Sequence, residues 1–148
     1  LRRGDALLAL GRTQWAVLGT EKKLMQFAQT GFPADFPFSD HTGITDRPTR
    51  FADDLTQAEL VRGYTVRPTD IDFGRHMNNV AYVRVLLDCF SAAELASGRI
   101  ASMEVHYAAP CLEGEELGVY CRREESGCRL AIKKADGKAA VLAAVKLR

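Results

Sequence analysis

The chain has 148 residues, of which 47% are hydrophobic and 26% are charged, and its formal net charge at pH 7 is +1. This composition excludes a disordered chain, and the length suits one ordinary core or a small domain with part of another. The near-neutral charge provides no electrostatic basis for nucleic acid or an anionic membrane as a partner.

Residues 1–62 contain weak strand signals followed by an irregular stretch. A turn at Gly4-Asp5 precedes an apolar, β-prone run that extends to Gly19. Between residues 29 and 48, glycine, proline and aspartate recur too often for a regular element, which predicts a linker or extended loop. Residues 53–62 indicate a short helix or turn that leads into the next strand. Three aromatic side chains of the loop are expected to lie against a core: Phe32, Phe36 and Phe38.

From Gly63 onward the patterns predict regular structure. A strand is predicted over residues 64–68, and apolar residues at helical spacing over residues 80–90 predict one long helix. Asn78 or Asn79 would cap this helix at its start, and Gly98 would stop it. Ser-Gly and Asp-Gly turns then indicate hairpins among four further strands: 101–109, 116–125, 128–134 and 139–147. The prediction is an α+β domain, with an antiparallel sheet of about five strands wrapped around one long helix.

The cysteines and the start of the chain bear on the cellular compartment. Four cysteines lie in apolar segments without CxxC spacing, at positions 89, 111, 121 and 128. Buried free thiols in a reducing compartment fit this pattern better than disulfides or a zinc site. No secretion signal and no apolar run of membrane-spanning length is visible, so a cytoplasmic location without a membrane partner is expected.

The densest group of polar side chains lies between the predicted strand and the predicted helix. It contains two acids, a glycine, a histidine and an asparagine pair: Asp70, Asp72, Gly74, His76, Asn78 and Asn79. Acid, imidazole and amide groups leading into a helix start are suited to polarising and attacking a carbonyl. The same residue types also favour a helix-capping turn with no catalytic role. The pattern by itself leaves both interpretations open.

This segment has the form D-x-D-x-x-x-H-x-N-N-x-x-Y, ending at Tyr82, and it resembles the motif of hot-dog-fold thioesterases. The resemblance is greatest to the thioesterases of acyl-acyl-carrier-protein (acyl-ACP) substrates. It implies a hot-dog fold, and hydrolysis of fatty-acyl thioesters of ACP or CoA to free fatty acid and thiol. It implies no metal or organic cofactor, and the sequence has no ligand-spaced cluster and no glycine-rich phosphate loop.

The resemblance assigns roles to individual residues. Asp72 takes the acid/base position, where it would deprotonate a water or attack the carbonyl directly, and His76 would orient water or stabilise the leaving thiolate. The backbone N–H groups of Asn78, Asn79 and Val80 would form an oxyanion hole at the helix start. Arg67 and Asp70 would fix the loop by hydrogen bonds or an ion pair. Candidates for an apolar acyl slot, each equally a plain core residue, are Val80, Tyr82, Val83, Leu86 and Met103.

Two positions depart from the family pattern. Gly74 stands where the family usually has a catalytic Asn, and Pro110 stands where plant members have Glu, followed by Cys111 on their Cys. Cys111 is not expected to be a nucleophile, since no close sequence feature lowers its pKa. These departures resemble the acyl-CoA thioesterases of the 4-hydroxybenzoyl-CoA type, which work with an Asp and helix-terminus amides. The choice between ACP and CoA as carrier therefore stays open.

Two alternative functions remain beside hydrolysis. Gly74 and Pro110 favour a non-catalytic acyl-binding or interaction domain of the same fold. A hot-dog hydratase or dehydratase is the other alternative, but it uses an acid on or near the helix, and the only acids here are Asp88 and Glu94, late in its course.

The family has two hot-dog repeats joined by a linker, and the chain contains a faint internal echo. The run after Gly4-Asp5 resembles the run after Asp136-Gly137. We therefore expect residues 1–28 to be the end of a first repeat, 29–62 the linker, and 63–148 a complete hot-dog domain. A domain without its first repeat is expected to form a homodimer over the surface that the repeat would cover. A chance similarity between two apolar strands is the alternative.

Overall fold

A computed structural model describes residues 1–17, 19, 21, 23–33, 35–37, 43–47, 49, 51, 55 and 57–148. The chain divides into two compact units, Leu1–Arg47 and Pro48–Arg148. The expectation for Phe38, and most of the helix or turn expected at residues 53–56, lie outside the described residues. No helix of the described part is long and apolar enough to cross a bilayer.

The first unit holds little regular structure. Strands β1 (Arg2–Arg3) and β2 (Ala6–Leu7) pair as a short antiparallel hairpin. Its turn places Gly4 at φ +56°, in the left-handed region that glycine tolerates. The predicted β-prone run to Gly19 is therefore mostly not strand, because the sheet formed by β1 and β2 has only these two members.

The expectation that Phe32 and Phe36 lie against a core is wrong. Phe32 contacts Phe27 with ring centroids 5.2 Å apart and Phe36 with centroids 4.9 Å apart. All three rings remain about half exposed. Phe27 belongs to a 3₁₀ turn, Phe27–Gln29, and the described part of the predicted loop contains no helix or strand beyond it.

The second unit is built on one antiparallel sheet, as predicted. Its strand order is β3-β5-β6-β7-β4. The strands are β3 (Glu59–Thr65), β4 (Ile100–Tyr107), β5 (Glu116–Glu124), β6 (Gly127–Lys134) and β7 (Ala139–Leu147). Residues 59–62, expected in a turn or linker, are strand because they pair with β5, beginning with Glu59 opposite Cys121.

Two helices replace the single long helix that the spacing predicted. Helix α1 spans Asn79–Leu87 and helix α2 spans Ala92–Ala96. The chain breaks between them because Ser91 begins a new helix, exchanging two hydrogen bonds with Glu94 in a capping box. Gly98, predicted to stop the long helix, instead follows α2 at φ +66°.

Helix α1 packs against the inner face of the sheet. It buries Ala81, Tyr82, Val85 and Leu86, which lie at helical spacing. Alternate residues of the three central strands form the other half of the core, because side chains alternate along a strand. They are Leu117, Val119, Cys121, Cys128, Leu130, Ile132, Val141, Ala143 and Val145. All four cysteines are buried and unpaired, as the sequence predicted.

Candidate active site

The predicted polar segment folds into a small hairpin that ends at the start of α1. Residues 70–72 lie antiparallel to residues 76–78, with residues 73–75 as the turn. The ladder has three contacts: Asn78 N–H to Asp70 O at 2.8 Å, an isolated bridge between Ile71 and Met77, and Asp72 N–H to His76 O at 3.1 Å. Because Asn78 is the N-cap of α1, this ladder holds Asp72 and His76 just ahead of the helix.

Asp72 and His76 lie close to each other across the turn. His76 Nδ1 is 3.8 Å from Asp72 Oδ1 and 3.4 Å from the Met77 carbonyl oxygen. Both side chains are partly open to solvent, with 32% of the Asp72 and 46% of the His76 side chain exposed. When Nδ1 carries the ring proton, it faces these two oxygens and leaves Nε2 as the acceptor. The structure therefore brings together the two side chains that were predicted to be catalytic.

Gly74 lies in the gap between the carboxylate and the imidazole. Its N–H donates to Asp72 Oδ1 at 2.8 Å, so the Asx turn expected of Asp72 is also present. A Cβ on residue 74 would come within 3.0 Å of both Asp72 Oδ1 and His76 Nε2. An Asn at this position, the residue usual in the family pattern, would require one of the two side chains to move.

The predicted oxyanion donors are only partly available. Asn78 donates its backbone N–H to Asp70 O, so this N–H cannot also stabilise an oxyanion, and that part of the prediction is wrong. The Asn78 side chain instead caps the helix, because its Oδ1 accepts from Ala81 N–H at 2.8 Å. The backbone N–H groups of Asn79 and Val80 have no partner in the described part of the chain. Both residues are exposed, and their amides belong to the positive end of α1.

Asp70 fixes the loop through hydrogen bonds, as the sequence suggested. Its carboxylate is buried, and Oδ2 accepts from Arg67 N–H at 2.9 Å and from the Tyr64 hydroxyl at 2.6 Å. The Arg67 guanidinium makes no ion pair with Asp70, and it lies over the Tyr64 ring, 5.7 Å from its centroid. The contact from Tyr64 is not predictable from the sequence, because its position six residues before Asp70 carries no helical or strand signal for it.

The residues proposed to line an acyl slot differ in how far they are buried. Tyr82 and Leu86 are core residues: Leu86 is fully buried, and the Tyr82 hydroxyl accepts from Cys111 N–H at 2.9 Å. Burial raises the pKa of Tyr82, so this hydroxyl stays protonated. Val83 and Met103 are partly buried, and Val80 is 67% exposed beside the free amides. In this single chain Tyr82 and Leu86 offer no accessible surface to a ligand.

The backbone of Cys111 holds the segment that leads into α1. Its carbonyl accepts from Met77 N–H at 2.8 Å, one residue before the N-cap of α1. The side chain is fully buried, and burial raises the pKa of the thiol. This environment agrees with the expectation that Cys111 is not a nucleophile.

A cavity of about 120 Å³ lies away from this site, on the face of the sheet opposite α1. Seven of its ten lining residues are polar or charged, so it does not suit an acyl chain. The four charged residues are Glu104, Glu124, Arg129 and Lys146. Among the described residues, no three His, Cys, Asp or Glu side chains come together as a metal-binding group.

Comparison with known proteins relates the second unit to one family. Residues 53–148 match the family described as the acyl-ACP thioesterase C-terminal domain. No curated protein matches the chain at a significant level.

Solved structures extend this similarity to the fold. An acyl-ACP thioesterase from Bacteroides thetaiotaomicron VPI-5482 is 25% identical with a TM-score of 0.71, over 87% of this chain and 51% of that chain. The 12:0-ACP thioesterase from Umbellularia californica is 22% identical with a TM-score of 0.61, over 75% and 44%. A hypothetical protein from Staphylococcus aureus in complex with CoA is 17% identical with a TM-score of 0.52, over 62% and 75%. The chain thus spans about half of the Bacteroides protein. The predicted α+β hot-dog fold is confirmed.

Proposed function

The chain belongs to the acyl-ACP thioesterase family, and from this membership and its Asp72–His76 turn we propose that it hydrolyses fatty-acyl thioesters to a fatty acid and a thiol. One observation supports the proposal most directly. A carboxylate and an imidazole lie 3.8 Å apart immediately before a helix whose first two amides are free. A thioester carbonyl needs a base or nucleophile on one side and hydrogen-bond donors for its oxygen on the other.

In the proposed mechanism Asp72 is the base. Its Oδ1 accepts from Gly74 N–H, whereas its Oδ2 has no partner among the described residues and is free to take a proton from water. The resulting hydroxide attacks the thioester carbon, and the Asn79 and Val80 N–H groups stabilise the negative charge on the carbonyl oxygen. Collapse of the tetrahedral intermediate breaks the C–S bond, and the proton that Asp72 took from water passes to the leaving thiolate, which His76 helps to stabilise.

Direct attack by Asp72 on the carbonyl is the second route to the same products. It forms an acyl-aspartyl anhydride and releases the thiol before water enters. A single turnover in ¹⁸O-labelled water tests for this route. Label in the Asp72 carboxylate establishes the anhydride, because it requires water attack on the aspartyl carbon, whereas water attack on the thioester places the label only in the fatty acid.

We also propose that a second copy of this chain completes the acyl slot. Apolar side chains around the hairpin and the helix start are exposed, led by Phe73, whose side chain is entirely open to solvent. The others are Val80, Tyr107 and Leu112, with exposed fractions of 67%, 41% and 52%. Since Tyr82 and Leu86 are buried, the acyl chain would lie against this exposed surface, and a partner copy would cover it.

Acyl-ACP and acyl-CoA are both proposed substrates. Both carriers present the same thioester, so the groups that act on the carbonyl are the same for either one. On acyl-ACP, the reaction would release the products of fatty acid biosynthesis.

The test is a thiol-release assay with acyl-CoA and acyl-ACP donors of several chain lengths. Replacing Asp72 by Asn is expected to lower kcat by roughly 100-fold or more, because the amide cannot take the proton from water. Asp136→Asn is the matched control, since Asp136 Oδ1 also accepts a backbone N–H two residues later, from Lys138 at 3.0 Å. We expect the control to retain activity within about twofold. Absence of thiol release from every donor with the parent chain would refute the proposal.

Gly74 and Pro110 favour a second candidate function, a non-catalytic acyl-binding or interaction domain. Neither residue has a side chain that can act as acid, base or hydrogen-bond donor, although the family pattern usually has such groups there. Saturable binding of acyl-CoA in calorimetry, without thiol release, would establish this candidate. The hydratase alternative is weakened, because its two candidate acids are engaged: Asp88 with Arg62 at 2.7 Å, and Glu94 with Arg123 at 3.1 Å.

A further inference from the structure

Asp70 connects three parts of the second unit by hydrogen bonds: strand β3, the polar hairpin and the start of α1. Its carboxylate is 4% exposed, and it is the one charged side chain that is buried among the described residues. A buried carboxylate is stable only when it is hydrogen-bonded. Its main-chain carbonyl also accepts twice from Asn78, from the backbone N–H at 2.8 Å and from Nδ2 at 2.7 Å. Any displacement of Asp70 therefore moves the N-cap of α1 and the hairpin strand that continues to Asp72.

Tyr64 connects Asp70 to the sheet. It lies on β3 opposite Leu117 of β5, so its main chain is held by the sheet ladder. Its hydroxyl donates to Asp70 Oδ2 at 2.6 Å, a short hydrogen bond to a charged acceptor. Burial and the hydrogen bond to Asp70 raise the pKa of Tyr64, so the hydroxyl remains a donor at neutral pH.

The other groups near Asp70 cannot replace this contact. Arg67 is the N-cap of a 3₁₀ turn, Pro68–Asp70, and donates its backbone N–H from there, so it moves with the loop. Arg84 approaches Asp70 Oδ1 only to 3.8 Å, and 65% of its side chain is exposed. In the described part of the chain, Tyr64 is the one side chain that hydrogen-bonds the Asp70 carboxylate.

We propose that Tyr64 is a positioning residue of this site, which acts through Asp70 to hold Asp72 and His76 in register with the free amides of α1. The effect on rate rests on the proposed function, whereas the effect on the hairpin does not. Loss of the hydroxyl frees Asp70 from the sheet while its contacts inside the loop remain. The base and the oxyanion donors then vary in relative position, and displacements of an ångström or less have large effects on rate.

The experiment compares Tyr64→Phe with Tyr120→Phe. Tyr120 lies on the neighbouring strand β5, opposite Leu60 of β3 and Ala131 of β6, and it has no part in the Asp70 network. Two quantities are measured on each variant: kcat and KM for thiol release, and the exchange rates of individual backbone amides by NMR. The amides of Asn78 and Asp72 report on the hairpin, and the amide of Leu130 in β6 reports on the core.

We expect Tyr64→Phe to lower kcat by roughly tenfold and to change KM by less than about twofold, since substrate contacts are not altered. The Asn78 and Asp72 amides should exchange roughly tenfold faster or more, with the Leu130 amide unchanged, which excludes general unfolding. Tyr120→Phe should change neither quantity. In an Asp70→Ala background, Tyr64→Phe should have no further effect, because the carboxylate that accepts from the hydroxyl is already absent.

Each outcome decides the inference. Hairpin amides that exchange in Tyr64→Phe as they do in the parent would overturn it. Faster exchange with unchanged kcat would overturn the catalytic part, because the hairpin would then be loosened without consequence for the reaction. Should the parent release no thiol from any donor, the proposed function fails, and amide exchange alone then decides whether Tyr64 holds the hairpin.

Discussion

Replacing Asn78 by Ala removes two hydrogen bonds at the junction of hairpin and helix. Asn78 Oδ1 accepts from Ala81 N–H at 2.8 Å, and Nδ2 donates to Asp70 O at 2.7 Å. Loss of an N-cap costs about 1 kcal/mol, and loss of a partly buried hydrogen bond costs about the same. The Asp70 carbonyl keeps its bond from the Asn78 backbone N–H, so no buried acceptor is left unpaired. We therefore expect the free energy of unfolding to fall by about 2 kcal/mol.

Urea unfolding followed by far-ultraviolet circular dichroism measures this change. Fluorescence is unsuitable, because the single tryptophan, Trp15, belongs to the other compact unit. Asn79→Ala is the matched control: this neighbour is exposed, and its side chain makes no hydrogen bond within the described residues. The control should change stability by less than about 0.5 kcal/mol.

Asn78→Ser separates the two contributions. A serine hydroxyl can still accept from Ala81 N–H but is too short to donate to the Asp70 carbonyl, so about half of the loss should be recovered. The reasoning would be refuted if Asn78→Ala were as stable as Asn79→Ala. It would also be refuted in part if Asn78→Ser were as unstable as Asn78→Ala.

Two further predictions concern the turn and the buried thiols. Gly74→Ala should lower kcat by roughly tenfold, because its Cβ displaces Asp72 or His76, while stability changes by less than about 1 kcal/mol. Gly63→Ala, whose Cβ would meet one atom at 4.0 Å, is the control, and equal rates for both variants would contradict the prediction. Burial raises the pKa of Cys89 from 9.0 to about 11, so the thiol form is favoured in the folded state. Stability should therefore be lost as pH rises from about 9 to about 11. In Cys89→Ala this loss should be smaller by roughly 2–3 kcal/mol, as measured by urea unfolding at a series of pH values. The prediction would be contradicted if the free energy of unfolding fell with pH as steeply in Cys89→Ala as in the parent.

Local signals were sufficient for most elements of the second unit. The turns that separate β5, β6 and β7 and the cap at Asn78 each depend on residues within a few positions, and all are present in the structure. The Ser91-Ala-Ala-Glu94 capping box was equally local and was overlooked, which is why one long helix was expected. The start of β3 at Glu59 was not local, since it depends on pairing with Cys121 of β5.

The polar motif by itself determined which side chains would meet before α1, because Asp72 and His76 are only four residues apart. The tertiary structure decided what each group can do there. The Asn78 N–H donates to Asp70 O and is no longer available as an oxyanion donor. Gly74 leaves room for Asp72 and His76 where a Cβ would meet both, and Tyr64 connects the loop to the sheet. Those contacts depend on the path of the backbone in space and on strand register. Neither is encoded in the spacing of residues along a short segment.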